Sequence, residues 1–196
     1  MARYSEVVVS APRIHVVGDS LTAAGWYVPL EAMVSRKNWT AAGTAGFATA
    51  NVTANFQAMV GAYAPIDQLI IQLGRNEINA AVVQGDATTL IRLCQVFAPK
   101  IIWVGGVWWG SENWAAGPVW ADFPAGEAVN VAISAACTAT GATYCDARAG
   151  VLPLEVAANP GHAINGILTD DGTHPNATGK TTMSTVVATT VTAVFG

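Results

Sequence analysis

The sequence predicts an α/β fold: a three-layer α/β/α sandwich around a mostly parallel five-stranded sheet. Short apolar runs rich in β-branched residues alternate with longer segments of helical character, which is the rhythm of βα units. Nearly all of the apolar runs are hydrophobic on both faces, as strands covered by helices on both sides are. The length of 196 residues suits one core, so we predict a single domain over residues 1–196.

Each predicted strand is a short apolar run, and the predicted helices fill the gaps. The strands are predicted at Arg13–Val17, Trp39–Ala42, Gln68–Leu73, Ile101–Val107 and Ala142–Cys145. The helices are predicted at Leu21–Arg36, Thr49–Tyr63, Asp86–Phe97, Gly126–Thr140 and Ala177–Val194. Two long segments, Gly110–Pro124 and Gly150–Thr169, are predicted to be irregular, and loops of this size tend to carry function. Catalytic groups in such folds gather beyond the carboxyl ends of the strands.

Composition and charge exclude several classes of protein. Hydrophobic residues make up 52% and charged residues 11%, which excludes a disordered chain. With a net charge of -4 and no run of Lys or Arg, no nucleic acid partner is expected. The stretch Thr181–Phe195 is uncharged but too short to span a bilayer, so no membrane anchor is expected. The low charge hints at surfaces buried by self-association, and a homo-oligomer stays open.

The cysteines and the N-terminus leave little further signal. Cys94, Cys137 and Cys145 show no metal-ligand spacing, and we predict buried free thiols with no metal and no cofactor. A disulfide between Cys137 and Cys145 is the lesser alternative. The N-terminus lacks the features of a signal peptide, which is compatible with a cytoplasmic protein or a mature secreted form.

Ser20 is the first candidate for chemistry. The first strand ends in Gly18-Asp19-Ser20-Leu21 and passes directly into a helix, so Ser20 lies at a helix N-terminus, where negative charge is stabilised. The alternative is that Ser20 merely caps the helix. A nucleophilic serine needs a histidine base and usually a carboxylate that orients it.

Of the three histidines, His174 fits the role of the base best. His15 lies inside the first strand and is predicted to be a packed core histidine, whereas His162 lies in a Gly- and Pro-rich loop. His174 lies just before the last helix, with Asp171 three residues upstream, so one turn can present both side chains. The carboxylate can then accept the imidazole N–H and stabilise the imidazolium. The alternative is an ordinary turn rich in Asp and Gly.

Two further segments offer hydrogen-bond donors to an oxyanion. Asn76 follows the third predicted strand, where its amide could donate, although helix capping is the alternative. Gly43-Thr44-Ala45-Gly46 follows the second strand, and a glycine there lets its own N–H approach closely. An ordinary turn explains this segment equally well.

Taken in order, these four segments resemble the sequence blocks of the SGNH/GDSL hydrolase family. The resemblance runs from Gly18 to His174 and implies a flavodoxin-like fold and a serine esterase without a cofactor. It implies a triad of Ser20, Asp171 and His174, with Ser20 N–H, Gly46 N–H and the Asn76 side chain as the oxyanion hole. Gly46 is chosen over Gly43 because it matches the second glycine of the family's pattern.

This sequence also departs from the family's pattern. A serine is common at position 45 and an aspartate at position 47, where this chain has Ala45 and Phe47. Glu77 replaces the aspartate that often follows the asparagine, and Arg75 fills a position that is usually small. These departures bear most on the assignment of Gly46. The resemblance also implies that Asp19 holds the nucleophile loop by hydrogen bonds, and a local Asx turn is the equal alternative.

Tryptophans suggest where substrate binds. Trp108, Trp109, Trp114 and Trp120 lie in or beside one loop after the fourth strand, where aromatic faces could hold a sugar ring, an aryl group or an acyl chain. The first three are the candidate substrate-binding residues, and a loop that packs its own small core is the alternative. The remaining tryptophans are predicted to be structural: Trp26, Trp39 and Trp103.

The sequence supports three hypotheses about function and argues against a fourth. The preferred one is hydrolysis of a small-molecule or carbohydrate ester through an acyl-enzyme, on short-chain, acetylated-sugar or aryl esters. An acyltransferase with an alcohol acceptor and the same triad is the second. A non-catalytic Trp-rich carbohydrate-binding or assembly module is the third. A nucleotide site is rejected, because it needs small residues where Asp19 and Ser20 stand.

Overall fold

Five parallel strands form one sheet, in the order β2-β1-β3-β4-β5. The strands are β1 Arg13–Gly18, β2 Asn38–Gly43, β3 Gln68–Gln72, β4 Lys100–Val104 and β5 Thr143–Cys145. This computed structural model describes residues 11–35, 37–77, 79–106, 124–151 and 174–196. Every neighbouring pair of these strands is parallel, so the predicted five-stranded sheet is confirmed.

Helices cover both faces of the sheet. They are α1 Ser20–Ala23, α2 Val28–Met33, α3 Thr49–Ala54, α4 Phe56–Met59, α5 Ala80–Cys94, α6 Pro124–Thr140 and α7 Ala177–Phe195. Helices α3 to α6 pack against one face of the sheet and form a first apolar cluster with it. Helices α1, α2 and α7 pack against the other face and form a second apolar cluster. Strand residues alternate between the clusters: Leu69 and Ile71 face the first, and Ile70 faces the second. The predicted three-layer sandwich is therefore confirmed.

The segment predicted as one helix, Leu21–Arg36, contains two short helices instead. Gly25 has φ of +75°, the left-handed conformation in which helices commonly end. Pro29 then lies in the first turn of α2, where its missing N–H breaks no helical hydrogen bond. Trp26 lies in the turn between α1 and α2 and is fully buried. The break therefore places an indole in the core below Ser20.

Two other helices differ from their predicted bounds. The predicted helix Thr49–Tyr63 is interrupted at Asn55, where α3 ends and α4 begins. Helix α5 starts at Ala80 rather than Asp86, because the Asn79 side chain accepts a hydrogen bond from Ala81 N at 3.1 Å and caps the earlier start.

Several predicted core residues are confirmed. His15 is fully buried, with Nδ1 2.9 Å from Thr40 Oγ1 and Nε2 2.7 Å from the Met59 carbonyl, and its ring stacks on Tyr63. Trp26 and Trp103 are fully buried. The three cysteines are free and buried. Cys137 and Cys145 lie in different apolar clusters, so the alternative disulfide does not form. Within the described ranges, no helix is long and apolar enough to cross a bilayer.

Candidate active site

The carboxyl ends of the strands lie in one row across the sheet. Gly18 of β1 is paired with Gly43 of β2 on one side and with Gln72 of β3 on the other. Ser20 therefore follows the central strand of three, while Gly46 and Asn76 follow its two neighbours within a few residues. Because neighbouring strands are about 4.8 Å apart, these three groups lie at the same edge of the sheet.

Asp19, and not Ser20, caps the helix after β1. Asp19 Oδ1 accepts a hydrogen bond from Leu21 N at 2.9 Å, and Ser20 is the first residue of α1. Ser20 is partly exposed, whereas Asp19 is fully buried. The capping role proposed as the alternative for Ser20 is thus performed by its neighbour, which leaves the serine side chain at the edge of the sheet.

The two candidate glycines, Gly43 and Gly46, differ in the space around them. A Cβ on Gly43 would lie 2.2 Å from Ala23 N, so this glycine allows β2 to end against the backbone of α1. Gly46 has φ of +75°, and a Cβ there would meet nothing within 4 Å. Gly46 is also exposed. Gly43 therefore serves packing, and Gly46 has the open surroundings that a hydrogen-bond donor to a ligand needs.

Asn76 and Glu77 hold the loop that carries Gly46. One N–H of the Asn76 amide donates to the Phe47 carbonyl at 3.0 Å, and Glu77 Oε1 accepts from Thr49 N. A side-chain amide has two N–H groups, so one is left to donate elsewhere. Helix capping, the alternative for Asn76, falls to Asn79. Sequence reasoning noted Glu77 only as a departure from the family's pattern; its contact with Thr49 was not predicted.

His174 and Arg75 are electrostatically coupled to Asp19. Burial raises the pKa of Asp19 to about 6, and the backbone hydrogen bond from Leu21 and the charges of Arg75 and His174 oppose that rise. The histidine of the last block therefore lies within electrostatic reach of the residue that precedes Ser20. His174 is partly exposed and stands two residues before Asn176, which caps α7 through hydrogen bonds from Thr178 N and Gly179 N, each 3.1 Å.

Gln72 also approaches Asp19 from the end of β3. Its amide lowers the pKa of Asp19, although neither Gln72 Nε2 nor Asp19 Oδ2 has a hydrogen-bond partner of good geometry within the described ranges. Both residues are fully buried. The signal for Gln72 was present in the sequence, since a glutamine ends the otherwise apolar run Leu69-Ile70-Ile71.

Some predicted residues lie outside the described residues. They are Asp171, His162, Trp108, Trp109, Trp114 and Trp120. Asp171 as triad carboxylate and the tryptophans as substrate contacts therefore stay predictions.

A pocket of about 200 Å³ opens elsewhere, between α6 and β5. It is lined by Glu127, Asn130, Val131, Ser134, Tyr144 and Asp146. None of the residues predicted to act in catalysis lines it, and β4 separates β5 from β3. Across the part of the chain that the structure describes, no three His, Cys, Asp or Glu side chains form a group that could hold a metal ion.

A family model gives the broadest comparison with known proteins. The model of the GDSL-like Lipase/Acylhydrolase family matches residues 16–181 of this chain. No curated protein sequence matches this chain.

Solved structures with the same fold are distant in sequence. A member of the lipolytic protein G-D-S-L family from Veillonella parvula has 18% identity and a TM-score of 0.73, covering 93% of this chain and 99% of the other. A lipase/acylhydrolase from Enterococcus faecalis has 15% identity and a TM-score of 0.69, with coverages of 93% and 96%. A catalytic mutant of an acetylxylan esterase from Geobacillus stearothermophilus has 12% identity and a TM-score of 0.70, with coverages of 91% and 93%. At these identities the likeness establishes the fold.

Proposed function

Since the chain belongs to the GDSL-like lipase/acylhydrolase family, we propose that this hydrolase cleaves carboxylic esters with Ser20 as nucleophile. The observation that carries the proposal is the row of strand ends, because Ser20 follows β1 and the candidate donors follow the two strands paired with it. The electrostatic interaction of His174 with Asp19 supports His174 as the base, because Asp19 directly precedes Ser20.

In the proposed reaction, His174 takes the proton of Ser20 Oγ as the oxygen attacks the ester carbonyl. The negative oxygen of the tetrahedral intermediate accepts from Ser20 N–H, Gly46 N–H and the second N–H of Asn76. The imidazolium then gives its proton to the departing alcohol, which leaves an acyl-serine. Water, deprotonated by the same histidine, hydrolyses that ester. Asp171 is the proposed partner of the imidazole.

The φ of +75° at Gly46 supports its part in this scheme. Glycine adopts this conformation without the steric cost that a side chain would add, and the space where a Cβ would lie is open. The bond from Asn76 to the Phe47 carbonyl ties two of the proposed donors to each other, so that they keep one spacing. Fixed donors stabilise a developing charge without reorganising during the reaction.

The proposed substrates are esters of short acyl chains, with acetylated sugars and aryl esters as the alcohol classes to test first. Acetylated sugars belong in the panel because one structural neighbour is an acetylxylan esterase. Trp108, Trp109 and Trp114 are proposed to contact the alcohol or acyl group.

Hydrolysis of p-nitrophenyl acetate by the wild type and by Ser20→Ala tests the proposal. Ser134→Ala is the matched control, because it removes a hydroxyl from a partly exposed serine on α6 that lines the pocket beside β5 and does not follow β1, β2 or β3. We expect a loss of about 10⁴-fold or more in kcat for Ser20→Ala and no change for Ser134→Ala. Wild-type rates in Ser20→Ala would exclude Ser20 as the nucleophile.

A further inference from the structure

Buried polar side chains form a continuous line through the apolar cluster beneath Ser20. Ser184 Oγ donates to the Trp26 carbonyl at 2.8 Å. Trp26 Nε1 donates to Thr22 Oγ1 at 3.3 Å, and Thr22 Oγ1 donates to Gln72 Oε1 at 3.2 Å. We call Ser184, Trp26, Thr22 and Gln72 the buried chain. All four are 0–2% exposed.

The buried chain joins the three elements that carry the proposed catalytic groups. Ser184 lies on α7, whose N-terminal end follows His174, and it is about 12 Å along the helix from the cap residue Asn176. Thr22 lies on α1, which begins at Ser20. Gln72 ends β3, four residues before Asn76. Hydrogen bonds to the backbone and from the indole of Trp26 therefore connect the histidine element to the serine element, and the bond from Thr22 to Gln72 connects the serine element to the asparagine element.

Gln72, at one end of the buried chain, lies near Asp19. Because Gln72 Oε1 accepts from Thr22, the amide nitrogen of Gln72 faces the Asp19 carboxyl. Asp19 Oδ1 in turn accepts from Leu21 N and so holds the first turn of α1. The hydrogen-bonded chain therefore ends at Gln72, whose amide lies near Asp19, the residue bonded directly to Ser20.

Gly18 makes the room that the chain needs. A Cβ at this position would lie 2.3 Å from Thr22 Oγ1 and 2.4 Å from the Gln72 carbonyl. Any larger residue would separate α1 from β3 at the Thr22–Gln72 bond. The absence of a side chain at Gly18 therefore allows the hydrogen bond between Thr22 and Gln72 to form, in addition to allowing the turn before Ser20.

Hydrogen bonds are directional, which gives the polar chain a role that the apolar contacts around it cannot perform. Apolar contacts in this cluster are stabilising but non-directional, so they hold α1, α7 and the sheet together without fixing their register. A buried hydrogen bond has a narrow range of distance and angle, and water does not replace it when it is broken. Networks of this kind specify one arrangement of a core.

We propose that Ser184, Trp26, Thr22 and Gln72 are positioning residues, which set Ser20, Asn76 and His174 at their working separation through the buried hydrogen-bonded chain. This role rests on the proposed ester hydrolysis at Ser20. The residues touch no substrate, so their loss should lower turnover while leaving substrate binding nearly unchanged.

Thr22→Val is the deciding variant, because valine keeps the shape of threonine and removes the hydroxyl that both accepts from Trp26 and donates to Gln72. On p-nitrophenyl acetate we expect kcat to fall about tenfold to a hundredfold, with KM changed by less than about twofold. Thr22→Ser restores the hydroxyl and should recover most of kcat. The rate of fluorophosphonate inactivation, which reports on the activated serine, should fall in parallel with kcat.

Val187→Ala is the matched control for a merely structural effect. Val187 is fully buried on α7 in the same apolar cluster, and its side chain has no polar group. It should lower Tm, while kcat measured well below Tm stays at the wild-type value. The proposal is overturned if folded Thr22→Val keeps wild-type kcat and inactivation rate, or if its loss of kcat equals that of Val187→Ala.

Ser184→Ala is a second test of the proposal and can be used if Thr22→Val does not fold. It deletes one hydroxyl at the far end of the chain and should lower kcat about threefold to tenfold relative to Val187→Ala. Equal kcat in these two variants would overturn the proposal. Failure of the proposed function looks different, since the wild type itself would then resist fluorophosphonate and hydrolyse no ester.

Discussion

Two aspartates at opposite edges of the sheet are held in opposite ways. Asp67, just before β3 at the amino edge, has a side chain 45% exposed and pairs with Arg13 Nε at 3.1 Å. Its hydrogen bonds from Arg13 hold its pKa below the usual value. Asp19, just after β1 at the carboxyl edge, is fully buried, and burial raises its pKa to about 6.

The same contrast extends to the groups around each aspartate. At the amino edge, Lys37 and Lys100 reach the last carbonyls of α7 from exposed positions, with bonds of 3.3 and 3.0 Å to Gly196 and Val194. Water can replace such contacts, so each one adds little stability. Around Asp19 at the carboxyl edge, the side chains of Thr22 and Gln72 are buried, so the loss of a partner there leaves an unsatisfied group. The difference teaches that the exposed contacts of Asp67, Lys37 and Lys100 at the amino edge can be replaced by water, whereas the buried contacts around Asp19 fix positions.

The largest effect short of losing Ser20 is expected for Asn76→Ala. Removing one oxyanion donor should lower kcat on p-nitrophenyl acetate by about 10²- to 10³-fold. KM should change little, because the bond to the oxyanion forms only in the transition state. Asn79→Ala is the control, since it removes a nearby asparagine that only caps α5. Equal kcat in Asn76→Ala and Asn79→Ala would remove Asn76 from the oxyanion hole.

A smaller effect, on stability, is expected from Asp19. Its folded pKa of about 6 exceeds the ordinary value of 3.8, so the folded state binds the extra proton between these values. The contribution of Asp19 to the free energy of unfolding should therefore fall as pH rises from about 4 to 6, by on the order of 3 kcal/mol, and then level off. Asp19→Asn should abolish this falling component, which urea unfolding at a series of pH values measures. An unchanged pH profile in Asp19→Asn would show that Asp19 is ionised as readily as a free carboxyl.

His15 contributes with the opposite sign over an overlapping range. Burial lowers its pKa to about 4 from 6.5, so the unfolded state binds more protons between these values. Stability from His15 should be lost as pH falls from 6.5 toward 4, by on the order of 3 kcal/mol. In the wild type the two effects partly cancel. His15→Gln should expose the falling slope due to Asp19, and Asp19→Asn the rising slope due to His15; parallel profiles in the two variants would contradict both assignments.

The smallest effect is expected at the amino edge. Asp67→Asn breaks an exposed ion pair and should change the free energy of unfolding by less than about 1 kcal/mol at pH 7. The difference should fade as pH falls through the lowered pKa of Asp67, because the wild-type carboxyl is then protonated too. Wild-type kcat is expected in Asp67→Asn. A loss of kcat would contradict the claim that the exposed contact of Asp67 does not position the active site.

The sequence predicted the strand ends better than the helices. Apolar runs and the turns after them located Ser20, Gly46 and Asn76 at successive strand ends, because strands buried on both faces leave a strong hydrophobic signal. The break at Gly25 was missed, since a single glycine within an apolar helical pattern is tolerated in many helices.

Contacts between distant segments could not be predicted at all. The close approach of Gly43 to the backbone of α1, which favours Gly46 as the proposed donor, has no local signal in the sequence. The bond from Ser184 to Trp26 joins residues 158 positions apart, and no local pattern encodes it. Thr22 and Ser184 look like ordinary helix residues in the sequence, and only their burial distinguishes them.

The identity of the nucleophile is tested most directly by fluorophosphonate labelling of the wild type, followed by peptide mass spectrometry. An activated serine reacts, whereas the other serines and the many threonines of the chain do not. The account predicts one equivalent of label on the peptide that contains Ser20 and none in Ser20→Ala. Label on another residue, or equal labelling of wild type and Ser20→Ala, would contradict it.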